Sequence, residues 1–543
     1  MGRSKPKKTK AGTPADKAAL GVGFEDRFKN MTHEEVVAFL DRIEAVALPA
    51  DTQTVRNMAA TIRCLTEALQ SKGISLDRVR DIAFGGITEK TRKVCPPKEP
   101  SPKGSTKPKE PKPGHGPKGS KAFPSAEKVQ VPHETLKSGD CCPECPKGRL
   151  YPHGRPAVMV RFVGMAPLEA KVFEREVLRC HGCGEVYKAA APNGVGPLKY
   201  DETVPAMAAL FRFGAGFPFH RFARFQETLG VPLPASTLHD LVTKASWLLD
   251  PALEALMQYA AQAELIHQDD TVMKILDRPD LLMRGKKERK GIYTTGLIAK
   301  SGANRVALFI TGFQHAGENL ADLLKQRMAG LAKPVQVCDA LAANKAGVMD
   351  TIVAHCLAHA RRKFVEVVKY FPEECRTYLE ALKLVYKNEA STEGMSPPDR
   401  LAFHQQHSKP AMDGLERWLQ EQVREKRVEP NSGLGQAIAY SLKHWQQLTL
   451  FLREPGIPLD NNLAERSLKR AIMHRKNSMF YKTQKGARVG DLYMSLIHSA
   501  ELNQVNPFDY LVALLRNHAF VEENPEEWLP WNYQATLAGI TAE

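Results

Sequence analysis

Two groups of side chains in this 543-residue sequence have the types and spacing to do chemistry. The first is two Cys-x2-Cys pairs, Cys142 with Cys145 and Cys180 with Cys183, separated by 34 residues. Four thiolates close a tetrahedral shell around Zn2+, and turn-forming Gly or Pro sits between or just beyond each pair of thiols. β-prone stretches over 158–163 and 172–178 lie between the pairs, so the pattern predicts a zinc ribbon. Cys141 is a competing thiol, which leaves the fourth ligand open. A dithiol redox pair would open a helix in a βαβ setting, and that setting is absent here. The second group is three acids far apart in the chain, Asp269, Asp339 and Glu465. Carboxylates with water suit Mg2+ or Mn2+, which take hard oxygen ligands in octahedral geometry.

Distant acids act together only if the fold gathers them. From Glu264 the sequence reads as strands: Leu265-Ile266-His267 leading into Asp269-Asp270-Thr271, a stretch over 291–300, a turn at Ser301-Gly302-Ala303-Asn304, and a strand over 305–313. A helix is expected from about Glu318 to Met328, then a short strand, Val335 to Cys338, ending on Asp339. Three antiparallel strands, a helix and a fourth strand open a ribonuclease-H-like fold, in which the first and fourth strands are neighbours. Asp269 and Asp339 would then meet at one edge of the sheet. Glu465 is expected on a later helix capped by Asp460 or Asn461. Arg466, Lys469, Arg470, His474, Arg475 and Lys476 follow it and read as a phosphate-contacting segment.

The 125 residues between Asp339 and Glu465 exceed what one strand and a connection need, so a mainly helical insertion is predicted over about 348–452. It contains Cys356-x2-His359. A closed zinc site needs four ligands, and Arg361, Arg362 and Lys363 alongside favour structural and DNA-contact roles over metal binding. Trp445 and, near the C-terminus, Trp528 and Trp531 read as packing residues. Upstream, Ser236-Thr237 is a plausible cap for the second helix of a helix-turn-helix pattern, which is both a DNA-reading arrangement and a common way to pack helices.

Composition bounds the rest. At about 150 residues per unit the length predicts three or four folded units, too long for a disulfide-stapled scaffold. Seventy-six Lys and Arg against 61 Asp and Glu give a net charge of +15 and a pI near 9.2, which makes nucleic acid the leading partner class and a basic tail on a neutral enzyme the alternative. No apolar run is long enough to span a bilayer, and no apolar core follows MGRSKPKKTK, so the expectation is a cytosolic protein.

The predicted organisation is a disordered basic arm (1–30), a helical segment (31–90), a Pro/Lys-rich linker (91–130), the zinc ribbon (131–195) and helix-turn-helix-like helices (196–262). The first part of the catalytic core (263–345), the helical insertion (346–455), the second part of the core (456–500) and a C-terminal helical element (501–543) follow. A heptad seam of Val55, Met58, Ile62, Leu65 and Leu69 leaves self-association and intramolecular packing equally open.

The chain resembles a DDE transposase of the insertion-sequence sixty-six family. The resemblance runs from about Leu76 to Tyr533, through Phe84-Gly85, Thr88-Glu89-Lys90, Gly114-His115-Gly116, the cysteine pairs, His267-Gln268-Asp269-Asp270-Thr271, Cys356-Leu357-Ala358-His359-Ala360-Arg361-Arg362-Lys363-Phe364, Asp460-Asn461-Asn462-Leu463-Ala464-Glu465-Arg466, His474-Arg475-Lys476-Asn477 and Trp528-Leu529-Pro530-Trp531-Asn532. It implies that Asp269, Asp339 and Glu465 form the triad: many relatives carry Asp-Glu-Thr where this chain has Asp269-Asp270-Thr271, which makes Asp269 the equivalent acid, while the doubled aspartate leaves Asp270 as a substitute. It further implies metal-dependent cleavage of element ends and joining to target DNA, action as a dimer or larger assembly on double-stranded DNA, and small accessory proteins as partners. A nuclease of the same fold that cuts without joining, and a catalytically inactive zinc-containing DNA-binding protein, are the rival readings.

Overall fold

The computed structural model describes residues 135–141, 143, 148–151, 166–179, 186–190, 192, 198–277, 291–344 and 350–542. The basic arm, the heptad seam, the linker and the four paired thiols, Cys142, Cys145, Cys180 and Cys183, lie outside these residues. What is described of the ribbon region is a two-stranded antiparallel sheet, β1 (Val177–Arg179) with β2 (Val186–Lys188). Only the last part of the β-prone stretch over 172–178 is in a strand.

Four helices come next: α1 (Thr203–Ala209), extended by a π-turn over Leu210–Gly214, then α2 (Phe219–Thr228), α3 (Ala235–Leu248) and α4 (Asp250–Ala261). α3 starts one residue before Ser236, at a Pro234 N-cap, so Ser236 and Thr237 lie in its first turn and do not cap it.

The centre of the molecule is a five-stranded mixed sheet of β3 (Leu265–Val272), β4 (Tyr293–Ser301), β5 (Asn304–Gly312), β6 (Val335–Cys338) and β7 (Ile352–His355), in spatial order β5-β4-β3-β6-β7. β3, β4 and β5 pair antiparallel, whereas β3–β6 and β6–β7 are parallel. The first and fourth strands of this sheet are therefore neighbours, as the sequence pattern predicts. Gly302, at φ +56°, supplies the left-handed residue of the tight β4–β5 turn. β7 departs from expectation, since it lies inside the stretch expected to be helical. Four residues, Ile-Val-Ala-His, are too few to display a period, and only pairing on β6 makes them a strand.

Helix α5 (Ala316–Leu324) covers one sheet face together with α4. After β7 come α6 (Leu357–Val367), α7 (Pro372–Ala390), α8 (Pro397–His407), α9 (Lys409–Arg424), α10 (Gly433–Lys443) and the short α11 (Trp445–Leu448). Their apolar faces form a second core with β6 and β7, built on Phe364, Tyr378, Leu382 and Trp445. The chain then returns as α12 (Asn462–Ser478), which crosses β3 and β4 on the face opposite α5, and α13 (Gln484–Leu502), which runs along β5. Gly296 of β4 lets α12 sit close, because a Cβ there would stand 3.0 Å from the Leu468 side chain. Helices α14 (Pro507–Arg516), α15 (His518–Glu523) and α16 (Tyr533–Ala542) complete the first core, with Trp528 buried and Trp531 packed on Tyr259.

β5 is an edge strand whose outward amides would otherwise be unpaired. Helix α13 meets them with polar side chains four residues apart. Asp491 accepts from the Thr311 amide (2.7 Å), Ser495 from Phe309 (2.9 Å), Ser499 from Ala307 (2.9 Å) and Asn503 from Arg305 (3.1 Å). Four helical residues advance about 6 Å and two strand residues about 6.7 Å, so the two repeats stay in step over this length.

Candidate active site

Consecutive residues of a strand point to opposite faces, and this separates the doubled aspartate of β3. Asp270 faces α5. Its carboxylate accepts from Thr295 Oγ1 (2.6 Å) and the Ala316 amide (2.9 Å) and lies 3.1 Å from His315 Nδ1, so it fastens the start of that helix. Asp269 faces α12 and pairs across the sheet with Gly296. The alternative of Asp270 as the first acid thus meets a carboxylate already committed to structure.

Asp339 leaves the end of β6. The β3–β6 register joins Leu265 to Val335 and His267 to Val337, and continuing the same offset brings Asp339 level with Asp269 on the adjacent parallel strand. Asn344 orients it. The Asn344 side-chain amide donates to Asp339 Oδ1, while its main-chain carbonyl accepts from Gln268 and Gln336 of the two neighbouring strands.

Glu465 lies in the first turn of α12, and Asn461 fixes where that helix begins. Fully buried, Asn461 donates its side-chain amide to the Gln268 carbonyl (2.7 Å), places Oδ1 3.1 Å from His267 Nδ1, and donates its main-chain amide to Cys356 Sγ (3.1 Å). It therefore ties β3, the start of α6 and the start of α12 together. Asp460, the other expected cap, accepts from the Asn462 amide (3.1 Å). Glu465 is flanked by His359 Nε2 at 3.5 Å and Arg362 at 3.7 Å, both from α6.

Electrostatics register the convergence. Burial, then the like charges of Asp339, Glu465 and Asp270, push the Asp269 carboxyl up to about 7, while the hydrogen bond from the Asp270 amide acts in the opposite sense. Burial pulls His267 down to about 4, so it is neutral at physiological pH. A divalent cation among these oxygens would offset both the desolvation and the mutual repulsion, and an all-carboxylate donor set fits Mg2+ or Mn2+.

The predicted basic residues divide. Arg466, Lys469 and Lys476 are exposed along α12. Arg470 pairs with Glu501, and Arg475 donates to Thr271 Oγ1 (3.2 Å) and the Val272 carbonyl, bracing the end of β3. His474 is a correction: it is 1% exposed, stacked on Tyr481 with ring centroids 4.3 Å apart, and pulled down to about 3 by burial and by Arg212. Its side chain points into the core, so it cannot reach a phosphate. On α6, Arg362 turns toward Glu465, and Lys363 lies over the Tyr440 ring at 4.5 Å. Asn461 and Asn344 are the positioning residues that spacing did not single out. The run Asp460-Asn461-Asn462 suggested only a cap, and Asn344 carried no sequence signal.

The core is thus a mixed α/β sheet with Asp269 on β3, Asp339 just past β6 and Glu465 on α12, a helix that also bears exposed cations. The chain belongs to the transposase IS66 family, whose model matches residues 198–489, more than half of the sequence. It is in general terms a DNA-processing enzyme, and the matched span contains all three acids but none of the paired cysteines. It is 29% identical over 418 residues to the uncharacterized protein y4jD of Sinorhizobium fredii (strain NBRC 101917 / NGR234), covering 73% of this chain and 79% of that one. It is likewise 29% identical over 402 residues to the uncharacterized protein y4hP of the same strain, covering 68% and 70%. No solved structure matches it. Among the described residues no helix is long and apolar enough to cross a membrane.

Proposed function

We propose that the chain is a DDE transposase with a ribonuclease-H-like core, which binds the ends of an insertion sequence, cuts them and joins the freed 3′-hydroxyl to target DNA. What supports this reading is that Asp339 comes level with Asp269 on the adjacent parallel strand and that the charges of Asp339 and of Glu465, on the helix crossing β3, both act on the Asp269 carboxyl. Asp269 and Asp339 would hold Mg2+ or Mn2+, with Glu465 completing the set. Bound there, such cations supply activation of the attacking oxygen and stabilisation of the leaving oxygen in an in-line displacement at phosphorus.

The chain's own residues do the rest. Asn344 and Asn461 set the directions of the second and third acids. Arg466, Lys469 and Lys476, free of the pairings that occupy Arg470 and Arg475, align the phosphate backbone along α12. α2, the turn after it and α3 supply one candidate surface for reading the ends, and a Zn2+ ribbon on Cys142, Cys145, Cys180 and Cys183 supplies another. Double-stranded DNA is the partner, a homo-oligomer on DNA and small accessory proteins complete the working assembly, and the setting is the bacterial cytoplasm and nucleoid.

The test is cleavage and joining of element-end DNA with Mg2+, comparing the intact chain with Asp339→Ala. The variant should retain end binding and lose both products by a factor on the order of 10^3. Cut ends without joined products would instead identify a nuclease. Tight end binding with no cleavage by the intact chain would identify a DNA-binding protein that has lost catalysis.

A further inference from the structure

Cys356 is the residue before α6, and His359 stands in the first turn of that helix. Glu465 reaches the same point from the first turn of α12. A sulfur, an imidazole nitrogen and a carboxylate oxygen from these three lie within 4.8 Å of one another. His359 Nε2 and Glu465 Oε1 are 3.5 Å apart, about the edge of a tetrahedral shell around a small cation.

Three observations distinguish this cluster from a capped helix with an adjacent ion pair. The main-chain amide of Asn461 donates to the sulfur (3.1 Å), as neighbouring hydrogen-bond donors do around ligands of bound metals, while burial, the larger effect, pushes the metal-free thiol up to about 12. Oε1 of Glu465 is buried without a hydrogen-bond partner. An orphaned buried oxygen is unfavourable, and an ion pair at 3.5 Å leaves it without a hydrogen bond. The donors are also of mixed softness. Sulfur and imidazole discriminate against Mg2+, so this is a different chemical environment from the all-oxygen acids beside it.

We propose that Cys356, His359 and Glu465 form a second metal site, which takes a thiophilic divalent cation of the Zn2+ class with three protein ligands and a fourth position open to water. Binding replaces the thiol proton: an S–metal bond forms, the S–H bond breaks, and the proton leaves to solvent. The site stands on its own geometry and holds whether or not the chain cuts DNA. If it does cut, the two sites share Glu465, and occupancy of one constrains that side chain in the other.

Metal-free full-length protein titrated with Co2+ in excess Mg2+ tests this, because cobalt–thiolate charge-transfer absorption reports sulfur ligation directly. Any cobalt held by the paired cysteines is common to every variant, so the difference decides. Cys356→Ser should bind one equivalent fewer with correspondingly weaker charge-transfer bands, and Cys375→Ser, at a buried thiol elsewhere, should match wild type. His359→Gln, at a partly exposed position tolerant of change, should weaken that same equivalent by roughly 10- to 100-fold. It decides alone if Cys356→Ser does not fold. Equal stoichiometry and spectra in wild type and Cys356→Ser, or unchanged cobalt affinity in His359→Gln, overturns the proposal.

Discussion

Along the outer edge of β5, and again around Asp269 on β3, polar groups of the same sheet meet a helix, with opposite results. At the edge, α13 answers the amides of Arg305, Ala307, Phe309 and Thr311 one by one with Asn503, Ser499, Ser495 and Asp491. On the side that α12 crosses, Glu465 Oε1 and, from α6, His359 Nδ1 are buried without a hydrogen-bond partner, while burial raises the carboxyl on both surfaces, to about 7 at Asp269 and about 8 at Asp491. The first surface is complete as folded protein. The second keeps polar atoms without partners, the feature on which the proposed metal sites rest.

The sharpest way to break this contrast is at Asn461, where the unanswered site is held together. Asn461→Ala removes three hydrogen bonds from a fully buried residue. It should lower stability by about 2–4 kcal/mol in denaturant melts and reduce cleavage beyond what the lost stability explains. Cleavage by the folded fraction equal to wild type would show that the clamp does not position Glu465.

On the edge, Asp491→Ala leaves the Thr311 amide without an acceptor, while the Thr311 hydroxyl keeps Thr294 Oγ1 as a partner, and should cost about 1–3 kcal/mol, against about 1 kcal/mol for Ser495→Ala. Amide exchange at Thr311 and Phe309 respectively should speed up, with DNA cleavage per folded molecule unchanged. A loss of catalysis at either position would mean that the edge is not merely structural.

Asp269→Asn acts on stability in the reverse direction. With its pKa raised to about 7 in the fold against the ordinary value of 3.8, Asp269 binds its proton more tightly folded than unfolded, so metal-free stability is highest below about 4 and falls as pH rises toward 7. Without metal, the variant should therefore melt higher than wild type at pH 8 and equally at pH 4. Mg2+ should stabilise only the wild type. A variant that melts lower at pH 8 would show that the carboxylate has favourable partners instead of a site awaiting a cation.

The smallest effect is expected on the rim. Lys476→Ala should weaken binding to any DNA sequence modestly and reduce the salt slope by about 1, whereas His474→Ala should change stability and leave the slope alone.

Strand pattern and helix spacing pointed to Asp269, Asp339 and Glu465 as candidates, although Asp269 lies within β3 and not at its end, and Asn461 makes no side-chain cap at the start of α12. The β4–β5 hairpin, β6 and its terminal Asp339 were readable because they are local features. His474 was misread because it sits among cations in sequence, while a helix repeat of 3.6 residues turns it inward from Lys476 and onto Tyr481. β7 escaped because four residues carry no period.

By itself the sequence determined which chemistries the chain carries, namely its acids, its thiols and its cationic helix, together with most strand and helix positions, since these depend on neighbours a few residues away. Which of Asp269 and Asp270 faces the acids, that Asn461 joins three elements, and that Glu465 stands beside Cys356 and His359 were decided only by tertiary structure. Sheet register and helix crossing bring together groups more than a hundred residues apart in the chain, and no local preference encodes the direction a side chain will find when they meet.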